Sequence, residues 1–140
     1  MPATLDIGLV MAGAVSAGAY TGGTLDFLLQ ALDEWYAAKG RPDVPPHDVV
    51  IRVATGASAG GMTTAMLAAS LRERVPPITA AATPADKAAN RFYDAWVSRI
   101  SIERLLEGND LAADPGPVRS LLDCTVLDAI TSRMVTPDPR

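Results

Sequence analysis

Ser58 is the side chain in this sequence best suited to act as a nucleophile. It lies at the centre of a G-x-S-x-G pattern formed by Gly56, Ala57, Ser58, Ala59 and Gly60. An apolar run precedes the pattern, and a long stretch of helix-forming residues follows it. A strand, a sharp glycine turn and a helix are the context in which this pattern forms a nucleophile elbow, a turn that exposes a serine oxygen at the end of a strand. The alternative is an ordinary tight turn whose serine caps the helix.

A serine that transfers acyl groups also needs backbone N–H groups to hold the negative oxygen of its intermediate. The glycine- and alanine-rich loop at residues 13–20 is suitably placed, because it follows a strand expected beside the elbow strand. The loop also leads into the N-terminus of a predicted helix, where the helix dipole is positive. We therefore expect this loop to lie next to Ser58.

Hydrophobic patterns predict the elements that position the two segments. The apolar runs Leu5–Met11 and Val49–Thr55 predict parallel strands, the first a central strand buried on both faces. Residues 12–23 are predicted to form a loop, and apolar residues from Leu25 to Tyr36 recur at helical spacing up to a stop at Lys39 and Gly40. A strand-loop-helix-strand-turn-helix order predicts a layered α/β fold.

The second half of the chain is predicted to be helical. The helix after Ser58 should run to about Arg74, and a further helix should cover residues 85–97, with Phe92, Trp96 and Ile100 along one face. A short helix capped by Ser101 should follow, then loops around 108–110 and 114–117, and helices at 118–122 and 126–134. No internal repeat is visible, so residues 1–140 are assigned to one domain.

Composition excludes several classes of function. The chain has 140 residues and a net charge of −4, with no basic stripe, so nucleic-acid binding is not expected. One cysteine, Cys124, allows no intramolecular disulfide, and with one histidine, His47, an all-protein zinc site is not expected either. The uncharged stretch from Ile7 to Leu25 lacks a basic flank and contains five glycines, so we interpret it as a strand and a loop rather than a signal peptide or membrane span.

Other candidate residues have structural explanations. His47 enters the elbow strand at the end opposite Ser58, and Met62 and Met66 are expected in the core. Cys124 is expected to be half-buried at a helix end, and Tyr20 to be a buried strut. The glycine loop lacks the G-x-G-x-x-G spacing of dinucleotide-binding turns, and no Gly-Lys-Ser/Thr sequence of a phosphate-binding loop occurs. No cofactor is predicted.

Together the two motifs resemble a known family. An apolar strand, a glycine loop ending in Gly18-Ala19-Tyr20, the sequence Thr-Gly-Gly-Thr-Leu and a strand leading into Gly-Ala-Ser-Ala-Gly-Gly resemble the amino-terminal half of a patatin-like phospholipase. The resemblance implies a layered α/β/α fold with a mostly parallel sheet. It implies Ser58 as nucleophile, Gly13, Ala14 and Val15 as the oxyanion loop, and the Ala59 amide as a further donor. In the family the general base is an aspartate in a later D-G-[GA] motif, and no histidine is used.

The sequence departs from the family pattern at two places. Ala14 and Val15 occupy glycine positions of the G-G-G-x-[RK]-G loop, and Ala17 stands at its basic position. No Asp-Gly dipeptide occurs, and Asp114-Pro115-Gly116 is interpreted as a turn. The dyad aspartate is therefore missing, and we expect residues 1–140 to form the amino-terminal portion of a single patatin-like domain.

The resulting expectation is a serine acyl hydrolase acting on carboxylic esters of lipids. We expect it in the cytoplasm, with peripheral contact to a membrane and a lipid or acyl-ester substrate. The alternative is a catalytically inert patatin-like module that serves in protein or membrane association. A D-G-[GA] motif downstream in the reading frame would favour the enzyme.

Overall fold

A computed structural model describes residues 3–14, 18–71, 75–113, 116–118 and 120–135. The regular elements, in chain order, are β1 (Thr4–Met11), α1 (Gly18–Ala38), β2 (Asp48–Gly56), α2 (Ala59–Ser70), α3 (Pro84–Ala89), α4 (Arg91–Tyr93), a π-helix (Asp94–Arg99), α5 (Ile102–Leu105), α6 (Asn109–Ala113) and α7 (Thr125–Val135). Three predictions fall outside the described residues: the conformation of Val15, the helix end near Arg74 and the turn at Asp114-Pro115.

The two strands form a parallel sheet, as predicted. β1 and β2 are paired from Thr4 opposite Asp48 to Met11 opposite Gly56. The register shifts once: Ile7 pairs with Ile51 and Gly8 pairs with Val53, so Arg52 is an extra residue in β2. A parallel sheet connected through helix α1 and followed by α2 confirms the predicted mixed α/β class.

The two faces of the sheet differ in burial. Leu9, Met11 and Ala54 pack against the helical core. Val10 and Val53 lie on the opposite face and are 84% and 59% exposed. The prediction that β1 is buried on both faces is therefore wrong for the described part of the chain. Its apolar residues alternate between a face covered by helices and an open one.

The core lies between the covered face of the sheet and the helices. Its buried residues come from α1, α2, α4, the π-helix and α7, and they are Leu25, Met66, Leu67, Phe92, Ala95, Ile130 and Met134. Met62 packs against this cluster from the same helix as Met66, which confirms the core assignment of both methionines. Helix α2 thus carries the elbow at its N-terminus and core residues along its length.

Helix α1 begins earlier than predicted. It starts at Gly18, whereas the sequence indicated a loop up to Gly23. Gly18 and Gly22 face the indole of Trp96, and a Cβ atom on Gly18 would lie 2.6 Å from Cδ2 of that ring. These glycines therefore permit close packing within a helix, and tertiary contact overrides their low helix propensity.

The predicted helix over residues 85–97 is interrupted at Asn90. This residue has an extended backbone, and its Oδ1 accepts a hydrogen bond of 2.9 Å from the N–H of Tyr93, which starts a new helix. Its Nδ2 donates to Asp26 Oδ1 at 2.7 Å and to the carbonyl of Pro76 at 2.9 Å. An asparagine side chain can replace backbone hydrogen bonds in this way, which explains the break.

The remaining predictions have mixed outcomes. Ser101 caps α5, and α7 covers the predicted helix near the C-terminus. Asn109 and Asp110 belong to helix α6 rather than to a loop, and the described residues 118 and 120–122 are not helical. Tyr20 is 79% exposed, so it is not a buried strut. In the part of the chain that the structure describes, no helix is long and apolar enough to cross a membrane.

Candidate active site

Ser58 occupies the sharp turn between β2 and α2. The strand ends at Gly56 and the helix begins at Ala59, so the chain reverses over two residues. Ser58 has φ 51° and ψ −122°, and among the described residues it is the one non-glycine residue with positive φ. A β-carbon makes this conformation costly, and such strain is held only where the surrounding structure enforces it. The turn therefore has the geometry of a nucleophile elbow.

The side chain of Ser58 does not cap helix α2. It makes no capping hydrogen bond, and the residue is exposed. By contrast, Thr83, Asn90 and Ser101 each accept a hydrogen bond from an N–H group in the first turn of the helix that follows them. The helix-capping alternative for Ser58 is therefore wrong, and its hydroxyl is free of that role.

Two glycines allow the strand and the helix to approach each other. A Cβ atom on Gly56 would lie 2.8 Å from the N of Gly61, and one on Gly60 would lie 2.6 Å from the carbonyl carbon of Met11. Real Cβ atoms essentially never come this close to backbone atoms, so only glycine fits at either position. The N–H of Ala57 donates to the carbonyl of Met11 at 3.2 Å, which ties the elbow to the end of β1.

The glycine loop lies directly beside the elbow. A Cβ atom on Gly13 would lie 3.1 Å from Cβ of Ser58 and 3.3 Å from the carbonyl oxygen of Ala57. Gly13 is exposed and Ala14 is half-buried, whereas Val15 lies outside the described residues. The structure thus brings the start of the predicted oxyanion loop to the candidate nucleophile.

Helix α2 begins directly after Ser58. Ala59 is the first residue of this helix, and it is 4% exposed. The N–H groups of a first helical turn have no acceptor within the helix, and the helix dipole makes this end positive. A developing negative charge next to Ser58 would therefore be stabilised by the N-terminus of α2.

The hydroxyl of Ser58 makes no hydrogen bond to a carboxylate or imidazole of the described residues. His47 precedes β2 whereas Ser58 follows it, and nine residues of strand separate them by about 30 Å. The ring of His47 instead contacts Trp35, with 4.8 Å between the ring centroids. A triad through His47 is excluded by this geometry.

Hydrogen bonds lower the pKa values of three carboxylates, Asp86, Glu103 and Asp123, and each lies near the start of a helix. The hydroxyl of Thr83 lowers the pKa of Asp86, and that of Thr125 lowers the pKa of Asp123. Both side chains hold backbone N–H groups near a helix start, Asp86 that of Thr83 at 2.8 Å and Asp123 that of Thr125 at 2.9 Å. A lowered pKa makes a carboxylate a weaker base at neutral pH, so neither is suited to activate a serine.

Thr63 and Trp96 contact each other behind the elbow, and the sequence analysis connected neither of them with the site. Thr63 is completely buried, its hydroxyl donates to the carbonyl of Ala59 at 2.9 Å, and it accepts a hydrogen bond of 3.1 Å from Nε1 of Trp96. The spacing of four residues between Ala59 and Thr63 in a predicted helix could have indicated the first contact. The second joins segments 33 residues apart and has no local signal.

Comparison with known proteins places the chain in a family. Residues 9–138 match the model of the patatin-like phospholipase family. Uncharacterized protein y4iI of Sinorhizobium fredii is 41% identical over 141 residues, a match that covers 91% of this chain. The chain spans 20% of the length of that relative. No solved structure matches. With its glycine loop, its serine elbow and the family match over nearly its whole length, this chain belongs to the patatin-like phospholipase family.

Proposed function

We propose that this protein hydrolyses carboxylic esters of lipids through Ser58. One observation carries the proposal: Ser58 is held at positive φ, exposed and free of any capping bond, between Gly13 and the N-terminus of α2. Acyl transfer requires an accessible nucleophile with N–H groups nearby to hold the oxyanion, and an exposed, uncapped serine at a helix N-terminus is suited to this. Membership of the patatin-like family supports the same class of reaction.

The proposed reaction has two steps. In the first, Oγ of Ser58 bonds to the acyl carbon, the carbonyl oxygen becomes negative, and the alcohol leaves with a proton as the acyl-enzyme forms. In the second, water attacks the acyl carbon and releases the fatty acid and the free serine. N–H groups of the Gly13 loop and of Ala59 are proposed to hold the oxyanion in both steps. The family assigns the proton transfer to an aspartate, and we assign it to no residue of this chain.

An apolar cavity beside the glycine loop favours a lipid substrate. It has a volume of about 260 Å³, and its lining includes Val10, Met11, Ala12, Tyr20 and Leu28. Met11 and Ala12 immediately precede Gly13, so an acyl chain in this cavity would begin next to the proposed oxyanion loop. We propose that the substrate is presented at a membrane surface, to which the protein binds peripherally from the cytoplasm.

Among the residues that the structure describes, no carboxylate or imidazole is hydrogen-bonded to Ser58, and this favours a second candidate, an inert patatin-like module that binds a protein or a membrane. A fluorophosphonate probe separates the two functions, because it reacts covalently only with an activated serine. We expect the full-length protein to be labelled and Ser58→Ala not to be. Ser98→Ala, which removes an exposed serine away from the elbow, should be labelled like the wild type.

Hydrolysis of p-nitrophenyl esters of different chain lengths provides the second measurement. Turnover that disappears in Ser58→Ala and persists in Ser98→Ala supports the enzyme. Equal labelling of wild type and Ser58→Ala would refute Ser58 as the nucleophile. A folded wild-type protein that is neither labelled nor active would favour the inert module.

A further inference from the structure

We propose that Trp96 is a positioning residue that holds the glycine-loop side and the nucleophile side of the site in one fixed arrangement. The inference rests on the proposed function, and it adds a residue far from the motifs to the machinery of Ser58. Trp96 is half-buried behind the elbow and contacts both sides of the site.

On one side, the indole ring fixes the start of helix α1. A Cβ atom on Gly18 would lie 2.6 Å from Cδ2 of Trp96, and one on Gly22 would lie 3.1 Å from Cδ1. The ring therefore fits against the bare backbone of the first turn of α1. Gly18 is where the glycine loop ends and α1 begins, so the ring determines the position of the far end of that loop.

On the other side, the indole N–H reaches the elbow helix. Nε1 of Trp96 donates to the hydroxyl of Thr63 at 3.1 Å, and that hydroxyl donates to the carbonyl of Ala59 at 2.9 Å. Thr63 has no exposed surface, so water cannot replace either bond. Hydrogen bonds in a dry interior are stronger and reinforce one another. The chain of bonds ends on the residue directly after Ser58.

The segment that carries Trp96 is itself unusual and firmly held. It is a π-helix of six residues, Asp94–Arg99, and π-helical turns are rare and frequent at functional sites. The buried carboxylate of Asp94 pairs with Nε of Arg99 at 2.7 Å and with Nε of Arg133 at 3.2 Å. The first ion pair lies within the π-helix, and the second ties the segment that carries Trp96 to helix α7.

This arrangement joins helix α1, into which the glycine loop leads, to helix α2, which begins at Ala59. Trp96 faces Gly18 at the start of α1 and is connected through Thr63 to the carbonyl of Ala59. Oxyanion donors act only at a defined distance from the reacting oxygen, and a small misplacement lowers the rate. Losing Trp96 contacts should therefore lower kcat and leave KM nearly unchanged.

The test compares Trp96→Phe and Thr63→Val with two controls in the full-length protein. Thr63→Ser keeps the hydroxyl, and Trp35→Phe removes the other indole of this chain, which contacts His47 instead. We expect each of the first two variants to lower kcat about fivefold, the usual effect of one buried hydrogen bond. The double variant should be no worse than either single one, and both controls should retain wild-type kcat.

Hydrogen exchange measured by mass spectrometry gives a readout that does not depend on catalysis. Trp96→Phe and Thr63→Val should increase exchange both in the peptide containing Gly18 and in the peptide containing Ser58. Unchanged exchange in either peptide, or a loss of activity that only follows the loss of folded protein, would overturn the role of Trp96. If exchange increases in both peptides but the protein never reacts with a fluorophosphonate, Trp96 holds the two helices together as proposed and the proposed hydrolase is refuted.

Discussion

Replacing Ser58 by glycine should stabilise the protein while removing its proposed activity. The backbone at Ser58, with φ 51° and ψ −122°, is open to glycine and strained for every residue with a β-carbon. Such strain costs on the order of 1–3 kcal/mol. The matched reference is Ser58→Ala, which also removes the hydroxyl but keeps the β-carbon. Because both variants lack the hydroxyl, the difference between their unfolding free energies reports only the effect of the β-carbon on the backbone.

The expected gain is the released strain less the extra entropy that glycine has in the unfolded chain. That entropy amounts to roughly 0.5–1 kcal/mol. The net effect is about 1 kcal/mol of additional unfolding free energy for Ser58→Gly over Ser58→Ala. Unfolding entropy is about 2.1 cal/mol/K per residue, so in a cooperative unit of 140 residues this difference raises Tm by about 3 °C.

Calorimetry and urea titration of the two variants and the wild type measure this difference, and the fluorophosphonate probe is applied to the same samples. Both variants should remain unlabelled, and Ser58→Gly should unfold at the highest temperature of the three proteins. A glycine variant that is less stable than the alanine variant by the ordinary 0.5–1 kcal/mol would refute the reasoning. It would show that Ser58 is not strained, and the elbow assignment would lose its main support.

Three further predictions concern Gly13, the pair Gly60 and Gly23, and Asp123, and each is measured by ester hydrolysis or by unfolding. Gly13→Val should lower the rate of ester hydrolysis on the order of a hundredfold with little change in Tm, because the valine side chain would enter the space beside Ser58. A loss of activity that matches the loss of folded protein would indicate that the loop is only structural. Gly60→Ala should lower the free energy of unfolding, measured in urea, by about 2 kcal/mol, because its β-carbon would lie 2.6 Å from a backbone carbon. Gly23→Ala, whose β-carbon would have nothing within 4 Å, should raise it by up to about 1 kcal/mol. Hydrogen bonding to Thr125 holds the pKa of Asp123 below its ordinary value of 3.8. The stabilising effect of the Asp123 carboxylate should therefore be full above that pH and disappear as pH falls through the lowered pKa. The difference in unfolding free energy between wild type and Asp123→Asn should shrink in acid, and a difference that stays constant with pH would contradict this.

Local patterns in the sequence were sufficient for the elements that form the elbow. Apolar runs located β1 and β2, and the G-x-S-x-G pattern between β2 and a helix located the turn at Ser58. These features depend on residues that are neighbours in the chain. The family resemblance then followed from two such motifs in the right order, and the family match confirms it.

Contacts between distant residues could not be predicted in the same way. The sequence indicated a loop at Gly18, because glycine is a poor helix former. The reason for a glycine there is the indole of Trp96, which lies 78 positions later in the chain. Asn90 interrupts a helix because it also bonds to Asp26, 64 residues away. The prediction that β1 is buried on both faces was wrong, because the apolar run contains no sign that one face would remain open. Partners of this kind follow from packing, which periodicity does not encode.

The bulge at Arg52 decides which residues in the second half of β2 face the core. Side chains of a regular strand alternate between its two faces, so uninterrupted pairing after Ile51 would bring Val53 and Thr55 opposite Leu9 and Met11 on the covered face. The bulge takes up Arg52, and Ala54 and Gly56 align with Leu9 and Met11 instead. Deleting Arg52 would therefore leave Ala54 on the covered face and Val53 on the open one, and the Ser58 turn would begin in the same orientation. In an alignment of relatives, a one-residue gap at this position would mark a strand that has lost its bulge and kept its two faces.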